Sequence, residues 1–151
     1  MDQSDAVISA IWIVVLRISV GALWLRSGLL KIPTRRYRQY DTMLSEMMGR
    51  NPIRWYTNFL RSYVLPRHRA AGYFFVTAEV LIGLLLILGL FTVPVALIGV
   101  FLNLNFRLAA GWQNPSATPL NYLFIICQLI VVFSGAGDYV SLDALLFRRG
   151  G

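Results

Sequence analysis

The chain has 151 residues, of which 57% are hydrophobic and 14% charged, with a formal net charge of +7. Its mean hydropathy is +0.62. Soluble domains carry about a quarter charged residues, so these apolar side chains cannot all sit behind a polar surface. They fall in blocks separated by polar stretches, the pattern of membrane spans. The basic residues concentrate between Lys31 and Arg69, between two apolar blocks. That reads as a topology signal and an anionic-lipid contact, and it excludes a nucleic-acid groove.

The N-terminus, Met1 to Asp5, is acidic where a secretory signal is basic. The apolar block after it is too long for a signal core and is expected to be retained as the first span. Block one runs from about Ala6 to Ile32, interrupted by Arg17, Arg26 and small residues. One tilted helix fits it. Pro33 and the run Thr34-Arg35-Arg36-Tyr37-Arg38 mark the exit from the bilayer. Next, Tyr37, Tyr40, Met43, Leu44, Met47 and Met48 recur at helical spacing. Asn51 reads as an N-cap with Pro52 at the first helical position. These two short segments are amphipathic, basic and aromatic. They are expected to lie in the interface as short helices, because Trp55, Tyr56, Phe59 and Tyr63 would otherwise face water.

Block two runs from about Ala70 to Leu90, with Glu79 its single charge. Gly89 can stop this helix, and Thr92 can cap the next with Pro94 in its first turn. So short a link makes the two helices antiparallel neighbours. Block three continues to about Ala110 and carries Asn103, Asn105 and Arg107. Turn residues mark Gly111 to Pro119 as a loop. Block four extends from about Leu120 toward Gly135, and a turn and a short amphipathic helix precede Arg148 and Arg149. The expected architecture is all-α: a single-domain integral membrane four-helix bundle over 1–151, with spans at about 6–32, 70–90, 93–110 and 120–135. The N-terminus and the 89–94 link lack basic residues, so both termini are expected on the non-cytoplasmic side, although Arg148 and Arg149 pull the other way.

Ionised groups inside a bilayer cost a few kcal/mol, which singles out Arg17 and Glu79. Counted from the ends of their blocks, Arg17 lies roughly 20 Å from Leu30 and Glu79 roughly 14 Å from Ala70. A long arginine could bridge that offset, with Arg26 as the competing partner. Such a pair either locks two helices in register or forms one pole of a polar cavity for a quinone-like head group. Asn103, Asn105 and Gln128 could join that cavity. Arg17, Gly21 and Gly28 share one helix face, and Gly83 lies four residues after Glu79. Small residues beside a charge let a second backbone approach and shield it from lipid. One histidine and one cysteine cannot supply bis-histidine haem or cluster ligands. No dinucleotide fingerprint and no Cys-x-x-Cys occurs. His68 reads as a surface residue at the membrane edge and Cys127 as a small lipid- or core-facing one. By itself the chain is expected to hold no metal and no redox cofactor.

Ordered pieces along the whole chain resemble the DoxX family of small bacterial and archaeal membrane proteins, which includes subunits of thiosulfate:quinone oxidoreductase. They are Arg17-x3-Gly21-x6-Gly28-x2-Lys31, Asn51-Pro52 with Trp55-Tyr56 and Phe59-Leu60, and Val64-Leu65-Pro66. Glu79-x3-Gly83, Leu88-Gly89-Leu90-Phe91-Thr92, Asn103-Leu104-Asn105-Phe106 with Gly111 and Asn114-Pro115, and Gly137 before Leu142-Asp143 complete the set. The resemblance implies a four-span bundle in a bacterial or archaeal cell membrane. It also implies a membrane subunit of a quinone-linked oxidoreductase or electron-transfer complex, with other membrane subunits, lipid and quinone as partners. The alternatives are a non-catalytic accessory subunit at the rim of a respiratory or photosynthetic complex, and a small transporter or stress-related protein acting alone. Four spans with no repeat make the transporter the least attractive of the three.

Overall fold

A computed structural model describes residues 3–33, 40–112 and 118–147, with side chains from Val7 to Leu146 within those ranges. The described residues are helical, joined by turns, with no strand among them. The expectations at Thr34 to Arg38, at Asn114-Pro115 and at Arg148 and Arg149 lie outside the described residues.

Helix α1 spans Gln3–Lys31 and is long enough, at about 43 Å, to exceed the hydrocarbon thickness. Helix α2 follows at Tyr40–Arg50. The next segment departs from the sequence reading. Helix α3, Arg54–Phe59, passes through a π-helical turn at Leu60–Val64 and a 3-10 turn at Leu65–Arg67 into α4, His68–Leu88. One nearly continuous helical path thus covers Arg54–Leu88, instead of a separate short helix and a span starting near Ala70. Pro66 is the physical cause. It has no N–H to donate, and its ring crowds the carbonyl four residues back, so the chain widens and then tightens around it.

Asn51 also works differently from an N-cap at the start of a helix. Its Oδ1 accepts from the Ile53 N–H at 2.9 Å, and its Nδ2 donates to the Leu108 carbonyl at 2.7 Å. The first contact keeps Ile53 extended, so α3 begins at Arg54. The second satisfies a last-turn carbonyl of α5, Thr92–Ala110.

Helix α4 ends at Gly89, whose φ of +66° is left-handed, and the Leu90 N–H reaches back to the Leu85 carbonyl at 2.9 Å. The cap of α5 is not Thr92, which is already its first residue. A carboxylate from the far end of the chain takes that role. Asp143 accepts from the N–H groups of Phe91 and Thr92 at 2.7 and 2.8 Å. It thereby holds Phe91 at a φ of +51°, which a side-chain-bearing residue adopts only when tied there. Helix α6, Thr118–Phe133, leads through a turn at Gly135 to α7, Leu142–Phe147. The Ser141 hydroxyl caps α7 by accepting from the Ala144 N–H at 2.9 Å.

Among the described residues, three stretches are long and apolar enough to cross a membrane: Val7–Lys31, Arg54–Leu88 and Thr92–Ala110. Helix α6 is equally apolar but has only 16 residues. Large side chains such as Trp12, Phe74, Phe101 and Leu123 are more than half exposed. A water-soluble protein could not present so many, and in lipid they face their own kind. The chain is a membrane protein.

Helix α1 packs antiparallel along α4, and α5 along α6. Gly21 lies against Gly83 and Ile87, and Gly28 lies against Glu79 and Val80. A Cβ on Gly83 would sit 2.4 Å from the Leu25 nitrogen, so only glycine permits this approach. The core between the four long helices contains Val20, Trp24, Ile82, Leu86, Val95, Ala96, Leu102 and Val131. A second cluster, Leu44, Met48, Tyr56, Leu60 and Ala109, holds α2 and α3 against the end of α5.

Candidate functional site

The α1–α4 register decides which charges meet. Gly28 faces Glu79, so Arg17, eleven residues earlier, lies about 16 Å away along the helix axis. The two therefore do not pair, and Arg26 is exposed and does not replace Arg17. The expectation aligned the starts of the apolar blocks. In the fold, α4 begins well beyond the end of α1, because α3 and the π turn carry its helix past Lys31.

Arg17 is 1% exposed and reaches the turn after α6. Its Nη1 donates to the carbonyls of Ala136 and Tyr139 at 2.6 and 3.2 Å, and its Nη2 donates to that of Val140 at 2.7 Å. The guanidinium also lies close under Gly89. One fork thus fastens the C-terminal segment to α1 beside the α4–α5 link, which Asp143 caps from the same segment. This is the chemistry of a clamp: a planar multi-donor cation satisfying several orphan carbonyls at once.

Glu79 is also 1% exposed, and its partner is Lys31, whose side chain remains 34% exposed. The Lys31 ammonium donates to Glu79 Oε1, and the Ser27 hydroxyl donates to Oε2 at 3.2 Å. Ser27 and Lys31 are one turn apart and flank Gly28, so the face that admits α4 also delivers both donors. Lys31 additionally sits 5.6 Å from the centre of the Phe106 ring.

This pair borders a cavity of about 810 Å³. Its walls are predominantly apolar, from Trp24, Leu44, Leu60, Phe75, Phe106 and Phe124 among others. Its polar groups are few: Ser19, Ser27, Lys31, Tyr40, Tyr56, Glu79, Asn103, Asn105 and Asn121. The Tyr56 hydroxyl donates to the Asn105 carbonyl at 3.4 Å. Burial, reinforced by the Glu79 carboxylate and then by Tyr56, raises the Tyr40 phenol above the ordinary tyrosine range. Tyr40 therefore remains an O–H donor. The volume and the few convergent polar groups suit a small-molecule site whose ligand is largely apolar.

Of the residues singled out in the sequence, Glu79, Asn103 and Asn105 line this cavity, while Arg17 and Gln128 do not. Gln128 stands behind it: its Oε1 accepts from Asn103 Nδ2 at 2.9 Å, fixing that amide from α6. The Asn105 side chain turns back to donate to the Phe101 carbonyl at 2.8 Å. Cys127 lines the cavity half-buried. His68 lies outside it at the start of α4, its Nδ1 3.1 Å from the Leu65 carbonyl. Sequence reading missed Ser27, Lys31, Tyr40 and Tyr56. Lys31 had a usable signal in its i, i+3 relation to Gly28, but it was counted among the basic residues marking the membrane edge.

Neither a curated protein nor a solved structure gives a significant match to the chain. A family model does match, over nearly its whole length. It is described as the TQO small subunit DoxD and aligns with residues 12–151, so the chain belongs to the DoxD family.

Proposed function

We propose that this protein is the small membrane subunit of a quinone-linked oxidoreductase, with the quinone ring bound in the cavity beside Glu79. The DoxD family is the small membrane subunit of thiosulfate:quinone oxidoreductase, and the wider DoxX resemblance belongs to the same reading. The observation that carries the site assignment is the Glu79–Lys31 pair, a nearly buried carboxylate with its ammonium opening onto a predominantly apolar cavity. In this reading α1, α4, α5 and α6 are four spans in a bacterial or archaeal cell membrane. Helices α2 and α3 sit at the cytoplasmic interface, and both termini face the other side.

A quinone bound here would supply the two-electron, two-proton acceptor for electrons delivered by a partner subunit that oxidises the donor. Lys31 donates a hydrogen bond to a ring oxygen and polarises it. Glu79 would be the group positioned to relay a proton to the ring, and Ser27 holds its carboxyl in one orientation. Tyr40, kept as a phenol, is a further donor. Apolar walls exclude water, so these few groups act at a low local dielectric.

The test is purification of the tagged chain in mild detergent, identification of the chains that accompany it, and assay of thiosulfate-dependent quinone reduction. Glu79→Gln should leave the complex assembled and lower quinone reduction by about 100-fold or more, the range of a lost proton-transfer group. A Glu79→Gln complex working at the wild-type rate refutes the site. Lost assembly with normal specific activity in the surviving complexes shows an accessory, structural subunit instead.

A further inference from the structure

The cavity is not uniform along its length, and its gradient says how a ligand lies in it. The wall contributed by α1 runs from Leu16 to Lys31, about 22 Å along the helix, far longer than a single ring. Charged and hydroxyl groups gather at the Lys31 end with Ser27, Glu79, Tyr40 and Tyr56. Toward the other end the wall is Leu16, Val20, Leu23 and Cys127, with Ser19 at the exposed rim. The open side lies between α1 and α6, where Leu23, Leu120 and Leu123 are 54%, 67% and 57% exposed. In a membrane that side opens to lipid.

We infer, resting on the quinone reading above, that the ligand is a long-tailed isoprenoid quinone bound in one direction. Its ring sits at Glu79 and Lys31, its tail lies along the α1–α6 groove toward Leu16, and it enters laterally between Leu23 and Leu123. The Lys31 end offers ring oxygens an ammonium and phenol hydroxyls, whereas the Leu16 end offers only the rim hydroxyl of Ser19, so the reverse placement makes fewer and weaker hydrogen bonds. The tail makes the larger apolar contact, so affinity depends on tail length and not on the head alone.

The test uses the full chain in lipid nanodiscs and benzoquinones that share one head, substituted at every ring position so that thiols do not add to it, and carry a methyl, a short prenyl or a long polyprenyl group at the tail position. Cys127 is the single cysteine of the sequence, so its alkylation by a maleimide reports occupancy of the apolar half. The long-tailed quinone should slow alkylation by about tenfold or more, equivalent to about 1.4 kcal/mol of preferential occupancy. The tailless quinone should not slow it at concentrations where the intact complex turns it over. Leu23→Trp, which narrows the mouth without touching the Glu79 pair, should weaken the long-tailed quinone more than the tailless one.

Equal protection by the tailless head overturns the tail assignment. So does absence of protection by the long-tailed quinone while the complex still reduces it in a Glu79-dependent way, and the head site then stands. Cys127 already shielded before quinone is added, and unchanged by it, assigns the groove to bilayer lipid and likewise overturns the inference. If no quinone alters alkylation and the Glu79→Gln complex reduces quinone normally, the quinone site itself falls.

Discussion

The separation of Arg17 from Glu79 can be tested with two double-mutant cycles, one joining Arg17 to Glu79 and one joining Lys31 to Glu79. Arg17→Met keeps most of the aliphatic stem and removes donors to three carbonyls at 2.6, 3.2 and 2.7 Å. Hydrogen bonds to a charged group contribute about 1.5–3 kcal/mol each, but they are not additive, and loss of a buried cation relieves its desolvation. A net destabilisation of about 2–4 kcal/mol follows. Lys31→Met leaves a carboxylate that is 1% exposed with Ser27 as its remaining described partner, and costs about 3 kcal/mol. Glu79→Gln costs less, about 1–2 kcal/mol, because Lys31 is partly exposed and can turn outward.

The cycles separate what single variants cannot. Sites more than about 10 Å apart couple by less than about 0.5 kcal/mol, whereas members of one buried pair couple by about 1–3 kcal/mol. Unfolding of the single and double variants in mixed micelles, followed by circular dichroism, supplies both numbers. A coupling above about 1 kcal/mol between Arg17 and Glu79, or none between Lys31 and Glu79, refutes the register from which the site is built.

At the helix interface, Gly83→Ala should destabilise by at least about 1–3 kcal/mol, since its Cβ would meet Leu25 backbone at 2.4 Å. Gly49→Ala in α2 meets nothing within 4 Å and should be neutral or slightly stabilising in the same micelle unfolding assay. Asp143→Asn retains one acceptor for the two N–H groups of Phe91 and Thr92 and should cost about 1–2 kcal/mol, seen as faster proteolysis within residues 138–147. Because burial raises its pKa, Tyr40 should ionise above the ordinary phenol value in an ultraviolet titration, and Tyr40→Phe should remove that part of the signal. As pH rises past the ordinary phenol value of 10.0, the unfolded chain releases this proton first, so stability falls through that range and Tyr40→Phe should lessen the fall.

The long apolar helices, the glycines between α1 and α4, and the stop at Gly89 were all legible in the sequence, because each is a local signal of composition or of backbone freedom. Register was not. Apolar blocks show where helices can cross, but the stagger between α1 and α4 depends on a helix that starts in polar sequence at Arg54 and is carried through a wide turn at Pro66. From that one offset came the wrong partner for Glu79. The Arg17 clamp was invisible for another reason: its acceptors are backbone carbonyls about 120 positions away, and carbonyls belong to every residue type. The true cap of α5 was hidden likewise, since Asp143 stands 51 positions from the N–H of Thr92. The cavity arises from side chains on several elements, and no single stretch announces it.

That Arg17 is held by a segment about 120 positions later sets an order of events during synthesis. It enters the membrane with α1, but its carbonyl partners lie at least 119 positions later. At about 5–20 residues per second, the cation waits roughly 6–24 s before its final partners exist. Only when Ala136 to Val140 arrive do carbonyls solvate that charge, and the α4–α5 link is capped when Asp143 follows. Arrival of residues 136–140 and closure of the bundle around Arg17 are therefore one event, and synthesis halted before them would leave a span with an unsheltered charge.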